Sequence, residues 1–269
     1  MLRIARGLLV AYLFVILIML WQEDALLYFP ARFPAGNWQP VAATFEDARF
    51  QSADGTQLHG WYFPRALPRA TVLYLHGNAG NITQRIDVAR RLSEDLNLAV
   101  LMFDYRGYGR SEGEPSEAGI VADARAARTW LAHRAGISEH DIVLMGRSLG
   151  GGVAVDLAAR DGARGLILES TFTSLPDVAA AHFWWLPVRW LMRNRLDSAT
   201  IIAGYDGPLL QSHGTADRTI PYEVGRQLFA AANEPKQFVD VPRGDHNDPQ
   251  PDSFYRQFDD FIDKLQHVE

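Results

Sequence analysis

The chain contains no cysteine, which excludes disulfide cross-links, thiol catalysis and any cysteine-ligated metal. It also lacks a block of basic residues, and its net charge is −6 over 269 residues. Nothing in that balance points to a nucleic-acid partner. No internal repeat and no phosphate-binding loop are present, and the histidines are not spaced as ligands on one helix. Neither an organic cofactor nor a metal is therefore expected. What is present is ordinary for a folded enzyme: 48% apolar and 22% charged residues. At this length one large α/β domain can bury a full core, and two are not required.

The N-terminus carries one long apolar run. Arg3 and Arg6 precede residues 8–20, which hold no polar side chain but that of Tyr12, and Trp21, Glu23 and Asp24 close it. Spanning a bilayer takes about 20 residues, a length reached when Leu2 and Ile4 are included and the arginines snorkel. A cleaved signal peptide is the rival reading, because its apolar core runs about 7–15 residues. Residues 21–27 offer no small-x-small cleavage site, so an uncleaved anchor over residues 1–25 is preferred. A buried core helix is disfavoured, since the run has no polar face. The two arginines place the N-terminus in the cytoplasm and the remainder, residues 26–269, on the extracytoplasmic side, periplasmic in a bacterium.

Residues 26–40 are rich in proline and aromatics and read as an ordered linker near the membrane. Residues 45–52 and 58–63 form an expected β-hairpin around Asp54-Gly55. Beyond it, expected strands at 71–75, 99–104, 142–145, 166–169, 209–212 and 237–241 alternate with helices. The helices are expected at 82–96, 117–133, 149–160, 222–232 and 253–265. Ser116 is a candidate cap for the second. This alternation argues for a mostly parallel, mixed sheet covered by helices on both faces. Residues 175–200, with three of the chain's seven tryptophans, break the pattern. They read either as a helix packed on the sheet or as a small cap lined for an apolar substrate, with His182, Phe183, Trp184 and Trp185 as candidate contacts.

The chemistry is concentrated in Gly146-Arg147-Ser148-Leu149-Gly150, which joins an apolar run to a small-residue helix. A G-x-S-x-G at such a junction is a nucleophile elbow, in which the glycines permit a sharp turn that exposes the serine hydroxyl. A serine needs a base to take its proton and a carboxylate to orient that base. On this kind of sheet the chain order is serine, acid, histidine. His246, in a turn-rich loop after the last strand, is the expected base. His59, His76, His133, His140, His182, His213 and His267 are placed less well, and His76 and His213 read as supports for their loops. Asp217 is the expected acid and Glu169 the runner-up; helix capping or an ion pair with Arg218 would be the structural alternative for Asp217. The backbone N–H of Leu149, at a helix N-terminus, and that of Asn78, in the loop His76-Gly77-Asn78-Ala79-Gly80-Asn81, are the candidate oxyanion donors. Asn81-Ile82-Thr83 also matches a glycosylation sequon.

Taken in order, the His76–Gly80 loop, Phe103-Asp104-Tyr105-Arg106-Gly107-Tyr108-Gly109-Arg110-Ser111, the elbow, Asp217 and His246 resemble the α/β-hydrolase superfamily. They are most similar to small membrane-anchored hydrolases related to the yeast bud-emergence protein and mammalian α/β-hydrolase-domain proteins. The resemblance runs from about Leu26 to the C-terminus and implies an α/β-hydrolase fold and a triad of Ser148, Asp217 and His246. It implies an acyl ester or thioester substrate, which the anchor and the apolar cap extend to a lipid-like acyl chain. A serine aminopeptidase is the alternative within the enzyme class, although the cap shows no acidic cluster for a substrate's amino terminus. A catalytically silent membrane-anchored binding protein is the alternative outside it.

Overall fold

The alternation of apolar runs becomes an eight-stranded sheet with helices on both faces. In the computed structural model, which describes residues 2–40 and 44–265, the sheet comprises β2 (Glu46–Gln51), β3 (Gln57–Phe63), β4 (Thr71–Leu75), β6 (Ala99–Asp104), β7 (Ile142–Arg147), β8 (Gly165–Glu169), β9 (Leu209–Gly214) and β10 (Lys236–Val241). Its spatial order is β10-β9-β8-β7-β4-β6-β3-β2. Only β3 runs antiparallel to both of its neighbours. The remaining pairs are parallel. This is the mixed α/β-hydrolase arrangement expected from the sequence.

The central strands are apolar without alternation because both faces are covered. Leu73, Leu75 and Leu144 join one core with Ile120, Ala124 and Leu131 of α4 (Glu117–Ala135) and Val153 and Leu157 of α5 (Leu149–Asp161). Their neighbours Val72, Tyr74, Val143 and Met145 point the other way, against Ala89, Leu92 and the C-terminal helix α10 (Asp252–Leu265). In α10, Phe254, Phe258, Phe261, Ile262 and Leu265 recur at helical spacing and are all buried. Burial of each such side chain contributes about 1.5–3 kcal/mol. Ser116 caps α4 through Gly119 N–H, and Gly136 ends it with φ +68°.

After β4 the chain crosses to β6 on one side, and after β6 it crosses back to β7 on the other. Such a reversal opens a crevice at the carboxyl ends of the adjacent strands, where ligands bind in sheets of this kind. The elbow and the 76–81 loop both lie there.

Two elements differ from the expected pattern. Residues 82–96 wind as a 3₁₀ turn (Ile82–Arg85), an α turn, α3 (Ile86–Arg90), and a π turn (Arg91–Asp95) rather than one regular helix. The linker is part of the fold: β1 (Phe29–Pro30) pairs in parallel with β5 (Ala79–Gly80), and Arg32 bridges Gly109. Asn81, the sequon residue, is buried, and its side-chain amide donates to the carbonyls of Ala31 and Ala35, both at 2.9 Å. No room is left for a glycan.

At the N-terminus α1 (Leu2–Trp21) is a continuous 20-residue helix with no buried residue. Its length is about 30 Å, that of a bilayer's hydrocarbon core. The short helix α2 (Glu23–Leu27) follows and runs through residue 25. Residues 175–200 form three short helices, α6 (Leu175–His182), α7 (Val188–Leu191) and, at the end, α8 (Ser198–Ile201). The carboxylate of Glu23 ties the two regions together, accepting from Arg193 N–H at 2.9 Å and from Asn194 N–H at 2.8 Å. The remaining helix, α9 (Tyr222–Ala231), precedes β10.

Candidate active site

Ser148 stands between β7 and α5 with φ +52° and ψ −119°, a conformation that costs a non-glycine residue on the order of 1–3 kcal/mol. Its surroundings hold it there. Ser148 N–H donates to the carbonyl of Glu169 at 2.9 Å. The Thr171 hydroxyl donates to the Ser148 carbonyl, also at 2.9 Å. The elbow's glycines are required by contact rather than by flexibility. A Cβ on Gly146 would meet the Gly150 carbonyl oxygen at 2.3 Å, and one on Gly150 would meet that of Leu75 at 2.0 Å.

Three loops converge on this serine. The His246 Nε2 atom lies 3.1 Å from Ser148 Oγ, and its Nδ1 lies 2.8 Å from Asp217 Oδ2. An ionised carboxylate only accepts, so Nδ1 carries the proton and Nε2 presents its lone pair to the hydroxyl. Asp217 is itself fixed, its Oδ1 accepting from Thr219 N–H at 2.9 Å and Ile220 N–H at 2.8 Å. Burial pushes the Asp217 carboxyl up, but donors from His213, His246 and Ile220 outweigh it and hold the group below the usual carboxylate range. An acid kept ionised in a buried setting can stabilise an imidazolium.

Glu169 is in the opposite state. It is fully buried at the end of β8, its Oε1 has no hydrogen-bond partner among the described residues, and burial raises its pKa. It makes no bond to His246, so the geometry favours Asp217 over the runner-up. Of the expected alternatives for Asp217, the ion pair does not form, since Arg218 pairs with Asp245 instead, Nε to Oδ2 at 2.7 Å. The backbone-holding role is present, through Thr219 and Ile220 N–H, beside the bond to His246. Asp245 in turn accepts from His246 N–H at 2.8 Å. This cluster shapes the histidine loop.

Two supporting residues were not legible as such. Arg147, the variable position of the elbow motif, donates from Nη2 to the His246 carbonyl at 2.6 Å and ties elbow to base. His213 reads from its position as a loop support, and it does donate to the Ile220 carbonyl at 2.9 Å; its Nε2 also lies 3.4 Å from Asp217 Oδ2. Chain position showed that it ends a strand and not that it flanks the acid.

The candidate oxyanion loop packs directly on the elbow, since a Cβ on Gly77 would lie 3.5 Å from Ser148 Cβ. Leu149 N–H is one of the free donors at the start of α5. Asn78 is anchored from both sides: Tyr108 donates its hydroxyl to the Asn78 carbonyl at 2.7 Å, and the Asn78 side chain donates to the Leu27 carbonyl. Below this loop burial pushes the Asp104 carboxyl up to about 8 and the His76 imidazole down to about 3. Both are fully buried, with His76 Nε2 3.7 Å from Asp104 Oδ1.

An apolar cavity of about 360 Å³ lies between the N-terminal helices and the cap. Ile16, Met19 and Leu20 of α1 form one wall, and Leu175, Val178 and Ala179 of α6 the other. Leu27 and Thr219 also line it, each bonded to a site loop. Of the four candidate cap contacts, His182 and Phe183 line this cavity, whereas Trp184 and Trp185 do not. Trp184 is 84% exposed, and Trp185 turns towards Tyr12 of α1, whose hydroxyl donates to the Trp185 carbonyl at 3.0 Å. The expectation for those two tryptophans is corrected: helical spacing did not show that an external helix would claim their side of the cap. Among the described residues no three His, Asp or Glu side chains gather as a metal site, and His267 lies outside the described residues.

A family model described as "Serine aminopeptidase, S33" matches residues 66–207, more than half of the chain. The chain belongs to that family, within the α/β-hydrolase superfamily. Over 238 residues it is 41% identical to an uncharacterized protein of Mycobacterium tuberculosis, covering 87% of this chain and 84% of that protein. It is 30% identical to protein bem46 of Schizosaccharomyces pombe over 264 residues, 90% of this chain and 87% of that one. Among solved structures it superposes on an esterase of Pyrococcus furiosus with a TM-score of 0.73, covering 88% of this chain and 98% of the esterase. At 18% identity that likeness speaks to the fold. The protein is a hydrolase of the α/β fold.

Proposed function

We propose that the protein is a serine hydrolase that cleaves carboxylic esters or thioesters through an acyl-serine intermediate. The observation that carries this reading is the unbroken Ser148–His246–Asp217 hydrogen-bond chain, 3.1 and 2.8 Å long, on a backbone held in a strained elbow. Ser148 Oγ attacks the carbonyl carbon while His246 Nε2 takes its proton. The carbonyl electron pair becomes an oxyanion, which the N–H groups of Leu149 and Asn78 receive. As the intermediate collapses, the bond to the leaving group breaks and His246 returns its proton to that oxygen or sulfur. Water, activated by the same imidazole, then frees the acid and restores the serine.

Two features favour an acyl substrate over a peptide. The cavity beside the site is lined by apolar side chains. The carboxylates nearest the cap are engaged, Glu23 by Arg193 and Asn194 and Asp177 by Arg189 at 3.0 Å, so none stands ready for a substrate's amino terminus. A silent binding protein has no need of a strained serine beside a pre-oriented imidazole. We also read α1 as an uncleaved anchor, with Arg3 and Arg6 in the cytoplasm and the hydrolase domain outside it. The buried carboxylate of Glu23 makes the segment just after α1 part of the fold, in keeping with that reading.

Turnover of p-nitrophenyl butyrate by the full chain tests the assignment. Ser148→Ala and His246→Ala are expected to lower kcat by a factor on the order of 10⁴ or more. Wild-type rates in either variant would exclude it.

A further inference from the structure

We infer that the apolar cavity between α1 and the cap is an acyl-chain site built jointly by the membrane span and the enzyme, filled laterally by a lipid of the bilayer in which α1 sits. This deepens the reading above and rests on it: the acyl group that reaches Ser148 belongs to a membrane lipid.

The depth of the cap along α1 carries the argument. Tyr12 precedes Trp21 by nine residues, about 13 Å along a helix axis and close to the middle of the span. Yet Tyr12 donates its hydroxyl to the carbonyl of Trp185, and the two rings lie 6.3 Å apart. If α1 crosses the membrane, the tip of the cap is therefore below the headgroups, inside the hydrocarbon. The composition of the tip agrees. Phe183, Trp184, Trp190 and Leu191 are all exposed there, Trp190 at 89%. In water such a cluster would be an aggregation liability; at a bilayer surface it is the expected aromatic and aliphatic contact layer. Polar groups at this level are paired, Arg189 with Asp177 and His182 with the Thr219 carbonyl.

The cavity continues this membrane-facing surface inwards. One side of its wall is the span itself, through Ile16, Met19 and Leu20, so a chain entering between span and cap slides along apolar side chains. Its lining includes Thr219, bonded to the triad's acid, and Leu27, bonded to Asn78 of the oxyanion loop. The volume of about 360 Å³ suits one chain rather than a whole lipid. The ester carbonyl is thereby led from the headgroup level to the elbow while its acyl chain stays buried.

The test uses the full chain reconstituted in phosphatidylcholine vesicles, with Ala179→Trp and Met19→Trp obstructing the cavity from either wall. The readout is the ratio of kcat/KM for p-nitrophenyl palmitate to that for p-nitrophenyl butyrate, which cancels any general loss of active protein. Each variant is expected to lower this ratio by on the order of tenfold, the effect of about two methylenes no longer buried. A phosphatidylcholine with a diazirine in its acyl chain is expected to label the cap peptide spanning residues 175–192 in wild type, and less in Ala179→Trp. An unchanged ratio in both variants overturns the acyl site. A lowered ratio with no cap labelling overturns the lateral route and leaves a chain taken from a soluble ester. Protein recovered from membranes with its N-terminus cut near residue 21 overturns the shared wall. If wild type hydrolyses neither ester, the serine-hydrolase reading fails as well; if it hydrolyses both and only the ratio is unmoved, that reading stands and this inference alone falls.

Discussion

Replacing Asp217 by Asn probes the orientation of the base with almost no change in shape. In the native arrangement Asp217 Oδ1 accepts from Thr219 and Ile220 N–H, and Oδ2 accepts from His246 Nδ1 at 2.8 Å. The two backbone donors fix which way an amide sits, keeping its oxygen towards themselves and turning its NH₂ to His246. An NH₂ cannot accept a hydrogen bond. The imidazole is driven to the tautomer with the proton on Nε2, and that atom, 3.1 Å from Ser148 Oγ, can no longer take the serine's proton. A wrong tautomer of this kind lowers kcat by about 10⁴, or about 5.5 kcal/mol of transition-state stabilisation. The measurement is kcat for p-nitrophenyl butyrate, set beside the rate of fluorophosphonate labelling at Ser148. Both are expected to fall together. Glu169→Gln serves as the comparator and is expected to stay within about threefold of wild type, since Glu169 makes no hydrogen bond to the imidazole. A loss below tenfold in Asp217→Asn, or a dead Glu169→Gln beside an active Asp217→Asn, would refute the assignment of the acid.

Three further outcomes follow from the packing. Gly150→Ala sets a methyl group 2.0 Å from the Leu75 carbonyl oxygen, between two rigid backbones; a loss of about 3 kcal/mol or failure to accumulate is expected in thermal unfolding of the full chain. Glu23→Ala leaves the N–H groups of Arg193 and Asn194 without their charged acceptor in a setting where Glu23 is 6% exposed, and should lower stability by about 2–3 kcal/mol while raising proteolysis within residues 175–195. For His76, burial depresses the folded pKa to about 3, so the unfolded chain takes up a proton below about pH 6.5 that the native state refuses. The stabilisation is complete above pH 6.5 and lost as pH falls towards 3, with a limiting slope of about 1.4 kcal/mol per unit. Asp104, raised to about 8, titrates with the opposite sign across the same window. Denaturant titrations at pH 6.5, 5.5 and 4.5 should therefore show a slope about 1.4 kcal/mol per unit more positive in wild type than in His76→Asn; equal slopes would contradict it.

The parts of this molecule that could be read in the sequence are those whose signal is local. Strands β4, β6, β7 and β8 announce themselves as unbroken apolar runs because they are buried on both faces. The elbow is legible because its glycines are imposed by contacts within a few residues and with the adjacent β4. Ser148, Asp217 and His246 stand at sheet-edge positions that chain order alone picks out, and the structure gathers them. What escaped depends on partners distant in sequence. Nothing near Phe29 tells that it will pair with Ala79, or that Glu23 will be buried by Asn194. The π turn at Arg91–Asp95 escaped because apolar spacing reports which face is buried rather than how the backbone winds. Trp184 and Trp185, expected as cap contacts, do not line the apolar cavity: Trp184 is exposed, and Trp185 turns to Tyr12 of α1. The same apolar composition serves a cavity or a membrane-facing surface, and only the fold separates them.

The central claim is that Ser148 is a nucleophile made reactive by His246, and intact-mass and peptide analysis of the full chain after fluorophosphonate treatment tests it most directly. The account requires one phosphonyl adduct per chain, located on Ser148, absent from Ser148→Ala and formed at least 10³-fold more slowly in His246→Ala. A folded wild-type protein that acquires no adduct, or a Ser148→Ala protein that labels as fast as wild type, would contradict it.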